Sequence, residues 1–133
     1  MFLLDANVWV AAGLADGSHH ASAGRLVRGG ARLGALDLTL YEVVNVVAKR
    51  YRDPEEARRT VHAILRTCGD DLIRVDQRLV EEAINLVAEF GLSSYDAAYV
   101  AAARRYGWQL VSLDVRDLVS KGLAVTPDAA DYP

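Results

Sequence analysis

The chain has 133 residues, of which 52% are hydrophobic and 25% charged, and its formal net charge is −3 at pH 7. That balance suits one globular domain with a buried core and excludes a broadly basic protein that holds nucleic acid by surface charge alone. The apolar runs fall far short of the ~20 residues that span a bilayer, and one cysteine, Cys68, rules out an internal disulfide and fits a small buried side chain in a reducing cytoplasm.

Met1 to Asp5 reads as a short buried strand. Asp5 interrupts it and no basic region precedes it, so no signal peptide is expected. Asn7 to Leu14 reads as a helix, ended by Ala15-Asp16-Gly17-Ser18, and a second helix runs from about His20 to Arg28 before Gly29-Gly30. Arg32 to Leu36 suits a short strand. From Leu40 to Tyr51 the apolar residues Leu40, Val43, Val44, Val47 and Tyr51 recur at helical spacing. Asp53-Pro54 opens another helix that continues to about Cys68. Leu72 to Val75 alternates as a strand does, and Asp76 caps a helix carrying Leu79, Ala83, Val87 and Phe90 on one face until Gly91. Ser94 to Tyr106 is an alanine-rich helix ended by Gly107, whose small residues suit close packing on both sides. Gln109 to Leu113 is the clearest strand, Val115 to Ser120 a short helix, and Leu123 to Val125 a last short strand. Strands alternating with helices predict an α/β fold with a parallel sheet covered on both faces.

Four acidic residues end a predicted strand or open a predicted helix: Asp5, Glu42, Asp96 and Asp114. Singly, each has an ordinary structural use. Thr39-x-x-Glu42 and Ser93-x-x-Asp96 match the capping box, Asp114 suits a helix N-cap, and Asp5 can begin a turn. Together they all fall on the edge where strand C-termini and helix N-termini gather in an open α/β sheet. Carboxylates meeting there repel by roughly 4 kcal/mol per pair at a separation near 4 Å and an effective dielectric near 20, and a divalent cation would relieve that repulsion. Oxygen-only ligation suits Mg²⁺ or Mn²⁺ rather than Zn²⁺.

Several basic and aromatic residues are further candidates. His19-His20, Lys49-Arg50 with Arg52, Arg58-Arg59 and Arg104-Arg105 all suit solvated surfaces. Any cluster bordering the acidic edge would instead suit an RNA backbone. Tyr41 and Tyr95, each preceding an acid, suit either base stacking or helix-start packing. A phosphatase with Asp5 as nucleophile wants a second acid two residues on, and that position is Asn7.

Four blocks carry a family likeness: Leu3-Leu4-Asp5-Ala6-Asn7, Leu38-Thr39-Leu40-Tyr41-Glu42-Val43, Leu92-Ser93-Ser94-Tyr95-Asp96-Ala97-Ala98-Tyr99, and the strand ending Leu110-Val111-Ser112-Leu113-Asp114. In this order they make the whole chain resemble a PIN domain, most closely the VapC-type toxins of type II toxin–antitoxin systems. The resemblance implies a three-layer α/β/α sandwich with a short, mainly parallel central sheet, spanning residues 1–133 as one nuclease domain. It also implies a metal-dependent endoribonuclease whose acidic positions are Asp5, Glu42, Asp96 and Asp114, supported by Asn7 and Ser112. Where relatives carry a His- or Phe-containing tail, this chain reads Val115-Arg116-Asp117-Leu118, which leaves Asp114 and Asp117 both open as the fourth ligand. A homodimer and a small antitoxin laying a peptide over the acidic pocket are further implications. A PIN-like module that binds RNA or dimerises without catalysis is the alternative.

Overall fold

A computed structural model describes residues 1–131. Among them, strands β1 (Phe2–Leu4), β2 (Leu33–Leu36), β3 (Leu72–Ile73) and β4 (Gln109–Val111) pair in the order β3-β2-β1-β4, and every pairing is parallel. Helices α1 (Ala6–Gly13), α2 (His20–Arg28), α3 (Asp37–Val43), α4 (Pro54–Cys68), α5 (Gln77–Phe90) and α6 (Ser94–Tyr106) connect them. The three-layer arrangement follows from side-chain alternation along the strands. Phe2 and Leu4 join a core with Val8 and Trp9 of α1, Leu26 of α2 and Ile64 of α4. Leu3 points the other way, into a second core with Leu79 and Leu86 of α5 and the buried alanines of α6. Parallel strands covered on both faces need continuous apolar runs, and Phe2-Leu3-Leu4 and Leu33-Gly34-Ala35-Leu36 are buried throughout.

The ends of α5 and α6 fall where the sequence places them. Asp76 and Ser93 cap α5 and α6 by accepting from the amides of Leu79 and Asp96. Gly91 and Gly107 close the same two helices at φ +66°, a region that costs glycine nothing. Cys68 is buried, and burial pushes its thiol up to about 12, so it behaves as a packed apolar group. No helix among the described residues is long and apolar enough to cross a membrane.

Four local expectations change. The helix read from Leu40 begins at Asp37, directly after β2, and its last stretch, Val44–Arg50, widens into a π-helix. The Tyr51 amide donates to Val46 O, five residues back, at 3.0 Å. That widening rotates the apolar stripe: Val43 and Val47 stay buried, whereas Val44 and Tyr51 turn out to solvent. On α5, Leu86 packs inward in place of Val87, which is exposed. The strand read over Leu72 to Val75 shortens to two residues, because the Val75 amide turns to the carboxylate of Asp37 at 3.3 Å. The strand read over Leu123 to Val125 reduces to one parallel bridge between Val125 and Val111.

Gly34 is fixed by close approach. A Cβ there would lie 2.3 Å from Trp108 Cζ3 and 3.1 Å from Asp71 O. The Gly34→Ala variant is expected to lose roughly 1–3 kcal/mol, the usual cost of overpacking, measured by urea unfolding; wild-type stability would show that Trp108 moves aside freely.

Candidate functional site

Strand order reverses at β1, which has β2 on one side and β4 on the other. A crevice opens outside the carboxyl ends of such strands, and Asp5 and Ser112 are the first residues beyond β1 and β4. The Asp5 amide extends the pairing to Val111 O at 3.0 Å. The Ser112 hydroxyl donates to Asp5 Oδ2 at 2.7 Å. The side-chain amide of Asn7 donates to the same Oδ2 at 3.1 Å and to Ser112 Oγ at 3.2 Å. Asn7 Oδ1 accepts from the Leu113 amide at 3.1 Å, so the side chain also ties the β4 exit to the start of α1. Asn7 and Ser112 thus fix a carboxylate that is only 6% exposed.

Glu42 lies one turn into α3 rather than at a helix start, because α3 begins at Asp37. Thr39 is therefore not a cap. Its hydroxyl is 2.6 Å from Tyr99 OH, which donates to Glu42 Oε1 at 2.8 Å. Because the phenol donates to the carboxylate, the Thr39 hydroxyl is the donor to the phenol. Both residues are fully buried. Tyr99 is the site residue that sequence reading misses. Its position in the alanine-rich block marked helix packing, and nothing in the spacing paired it with Glu42, whose chain position is 57 residues away.

Asp96 opens α6, with its amide held by Ser93 Oγ at 3.1 Å. Asp114 caps a π-helical turn, Val115–Val119, by accepting from the Asp117 amide at 2.9 Å, and the Asp114 amide donates to Ser112 Oγ at 3.0 Å. One carboxylate oxygen each from Asp96, Asp114 and Asp117 lie within 4.8 Å of one another. Asp5, Glu42, Asp96 and Asp114 all line one cleft of about 430 Å³. The structure therefore brings together all five acids singled out in the sequence, with Asp117 reaching the group through Asp96 and Asp114.

Electrostatics register the crowding. Burial, with the charge of Asp96 adding to it, raises Asp5 from 3.8 to about 6 despite the Ser112 hydrogen bond. Burial likewise raises Glu42 from 4.5 to about 7, with Asp5 and Asp96 adding to the shift. Asp96 is also raised, by burial first and then by Asp114. A half-buried set of oxygen donors that repel one another fits a small hard cation, and among the described residues Asp96, Asp114 and Asp117 offer such a set.

The chain matches the PIN domain family over residues 2–120. It is 33% identical over 108 residues to Ribonuclease VapC3 of Pyrobaculum aerophilum, a match covering 77% of this chain and 82% of that protein. A toxin–antitoxin complex from Klebsiella pneumoniae superposes with a TM-score of 0.74 at 25% identity, covering 96% of this chain and 98% of that one. The fold also matches the VapC20 toxin of Mycobacterium tuberculosis, with a TM-score of 0.72 at 22% identity, over 92% of this chain and 95% of that one.

Asp5 supplies a stability test with a defined sign. A carboxyl raised on folding favours the folded state fully below its unfolded pKa, and that contribution is lost as pH rises through the folded value. For Asp5 the rise from 3.8 to about 6 corresponds to about 3 kcal/mol. In EDTA, Asp5→Asn is expected to be more stable than wild type at pH 8, by roughly 1–3 kcal/mol, and to match it at pH 4. Denaturant unfolding at the two pH values decides this; a variant less stable at pH 8 would mean that the charged form is not strained.

Proposed function

The chain belongs to the PIN-domain family, and from that premise we propose that it is a VapC-type toxin: an endoribonuclease that hydrolyses RNA phosphodiester bonds and is held in check by a cognate antitoxin. The observation carrying this reading is the convergence of Asp5, Glu42, Asp96 and Asp114 on a single cleft. Kinship with a VapC ribonuclease supports the substrate class, and likeness to a toxin–antitoxin complex supports the partner. Residues 1–133 are taken as one nuclease domain.

Mg²⁺ or Mn²⁺ is the cation assigned to the cleft, with Asp5 and Asp96 as central ligands, Glu42 and Asp114 completing the set and Asp117 adding or substituting a ligand. When bound, the cation acidifies water and offsets charge on phosphate oxygens. The rest is done by the protein. Asn7 and Ser112 hold Asp5 in one orientation from two sides. Tyr99 occupies Oε1 of Glu42 and leaves the second oxygen for the cation, directly or through water, or for a proton, a role that Asp114 could fill instead. Without the cation, burial raises Glu42 to about 7, which makes that carboxylate a better proton acceptor near neutral pH than a solvated one.

We assign the homodimer to α5. Val80, Ile84 and Val87 stand exposed on one face of that helix, with Val75 and Tyr95 beside them, and with Leu38 they line an apolar groove of about 430 Å³. A contiguous apolar surface of this kind is uncommon on a monomer and suits a protein partner. The expected result is a dimer for wild type and a monomer for Ile84→Asp by light scattering; a monomeric wild type, or a dimeric variant, would remove the assignment.

The nuclease reading is tested by incubating the protein with unstructured RNA in Mg²⁺, Mn²⁺ or EDTA. Cleavage is expected with either cation and not with EDTA. Asp96→Asn is expected to lose activity by roughly a hundredfold or more with its circular dichroism unchanged. The cation should also raise the melting temperature by mass action, and less so as pH falls through about 7 and about 6, where Glu42 and Asp5 take up protons. RNA bound but uncut in Mn²⁺ would favour the non-catalytic module; no binding and no cleavage would sink both.

A further inference from the structure

A cleft walled by carboxylates repels the polyanion it is meant to process. A cation among the acids would offset charge at the scissile phosphate, whereas the neighbouring phosphates need positive charge from the protein. Two basic residues line the cleft, His19 and Arg50, and of these Arg50 carries the planar fork of N–H donors that matches a phosphate.

Two features of the backbone mark this position. In an α-helix each step of four residues drifts by ~40° around the axis, so Arg50 would lie ~80° away from Glu42. The π-helical stretch Val44–Arg50 takes back that drift, and Glu42, Val46 and Arg50 line the same cleft in succession. The helix then stops abruptly. Arg52, the one non-glycine with positive φ among the described residues, sits at +55°. Left-handed backbone at such a residue costs on the order of 1 kcal/mol and persists where surrounding structure enforces it, often beside a functional site. Wide helical turns cluster at such sites for the same reason.

The guanidinium is also unspent. Among the described residues Arg50 forms no ion pair, although the acids Glu42 and Asp5 share its cleft. It lies 5.8 Å from the centroid of the Tyr51 ring, whose face supports it. Both residues are exposed. A guanidinium resting on an aromatic ring, with its donors free, is suited to bidentate recognition of phosphate.

We propose that Arg50, resting on Tyr51 at the rim of the acidic cleft, is a substrate-positioning residue that binds an RNA phosphate flanking the scissile one. This rests on the ribonuclease reading above. It makes Arg50 responsible for strand binding and register, and gives it no part in the proton transfers.

The test compares wild type, Arg50→Gln, Arg50→Lys and the control Arg58→Gln on one short unstructured RNA in Mn²⁺, across a KCl series. Cleavage kinetics and anisotropy of the fluorescently labelled RNA are read side by side. Arg58 lies on α4 beside Glu55 and carries the same charge outside the cleft. For Arg50→Gln, KM is expected to rise roughly tenfold with kcat changed less than about twofold, and the salt slope of log(kcat/KM) to flatten by about 0.7 for one lost contact to a single strand. Arg50→Lys should keep the slope while recovering only part of KM, and Arg58→Gln should behave as wild type. A wild-type slope and KM in Arg50→Gln would overturn the proposal, as would an equal effect from Arg58→Gln. If wild type binds RNA without cutting it, the nuclease reading fails and Arg50 is judged by the anisotropy alone. If wild type neither binds nor cuts, both fail.

Discussion

The site depends on one buried contact, the hydroxyl of Ser112 donating to the carboxylate of Asp5 across the junction of β1 and β4. An ionised carboxylate taken out of water needs donors to offset lost hydration. Ser112 and Asn7 supply two, and both come from chain that the parallel pairing itself brings together. The Asn7 carbonyl and the Ser112 hydroxyl in turn accept the amides of Leu113 and Asp114. The loop that carries Asp114 is thus shaped by the same network that holds Asp5.

The price of this arrangement is visible in the acids themselves. Asp5, Glu42 and Asp96 are all pushed upward on folding, with burial the leading cause in each case and a neighbouring carboxylate adding to it. A fold selected for stability alone would replace at least one of them by an amide. Retaining all of them makes sense when an external cation supplies the missing charge. The surrounding packing is built to withstand the strain: Tyr99 and Thr39 are fully buried, and Leu3 and Leu4 are sealed into separate cores on either side of the strand that ends at Asp5.

Much of this was legible in the sequence, for identifiable reasons. Asp5, Asp96 and Asp114 follow strong local signals: an apolar strand, a Ser cap and a strand end, each set by chemistry within a few residues. The closures at Gly91 and Gly107 were legible for the same reason. Glu42 was legible as an acid near the edge, but its setting was not. Thr39 matched a capping box and instead bonds Tyr99, a partner supplied only by tertiary packing. The π-helix at Val44–Arg50 was equally hidden. Its residues repeat at ordinary helical spacing, so no local signal marks the extra width. The outward turn of Tyr51, and the seat it gives Arg50, were hidden with it.

The brevity of the strands has its own consequence. β3, at one border of the sheet, is two residues long, and β4, at the other, is three residues long with Val111 engaged by Val125. Unsatisfied strand borders are templates on which foreign chains accumulate as fibrils. Among the described residues both borders are short enough to blunt such growth, so the carboxylate crevice can stay open to solvent beside a sheet that offers foreign chains little to extend.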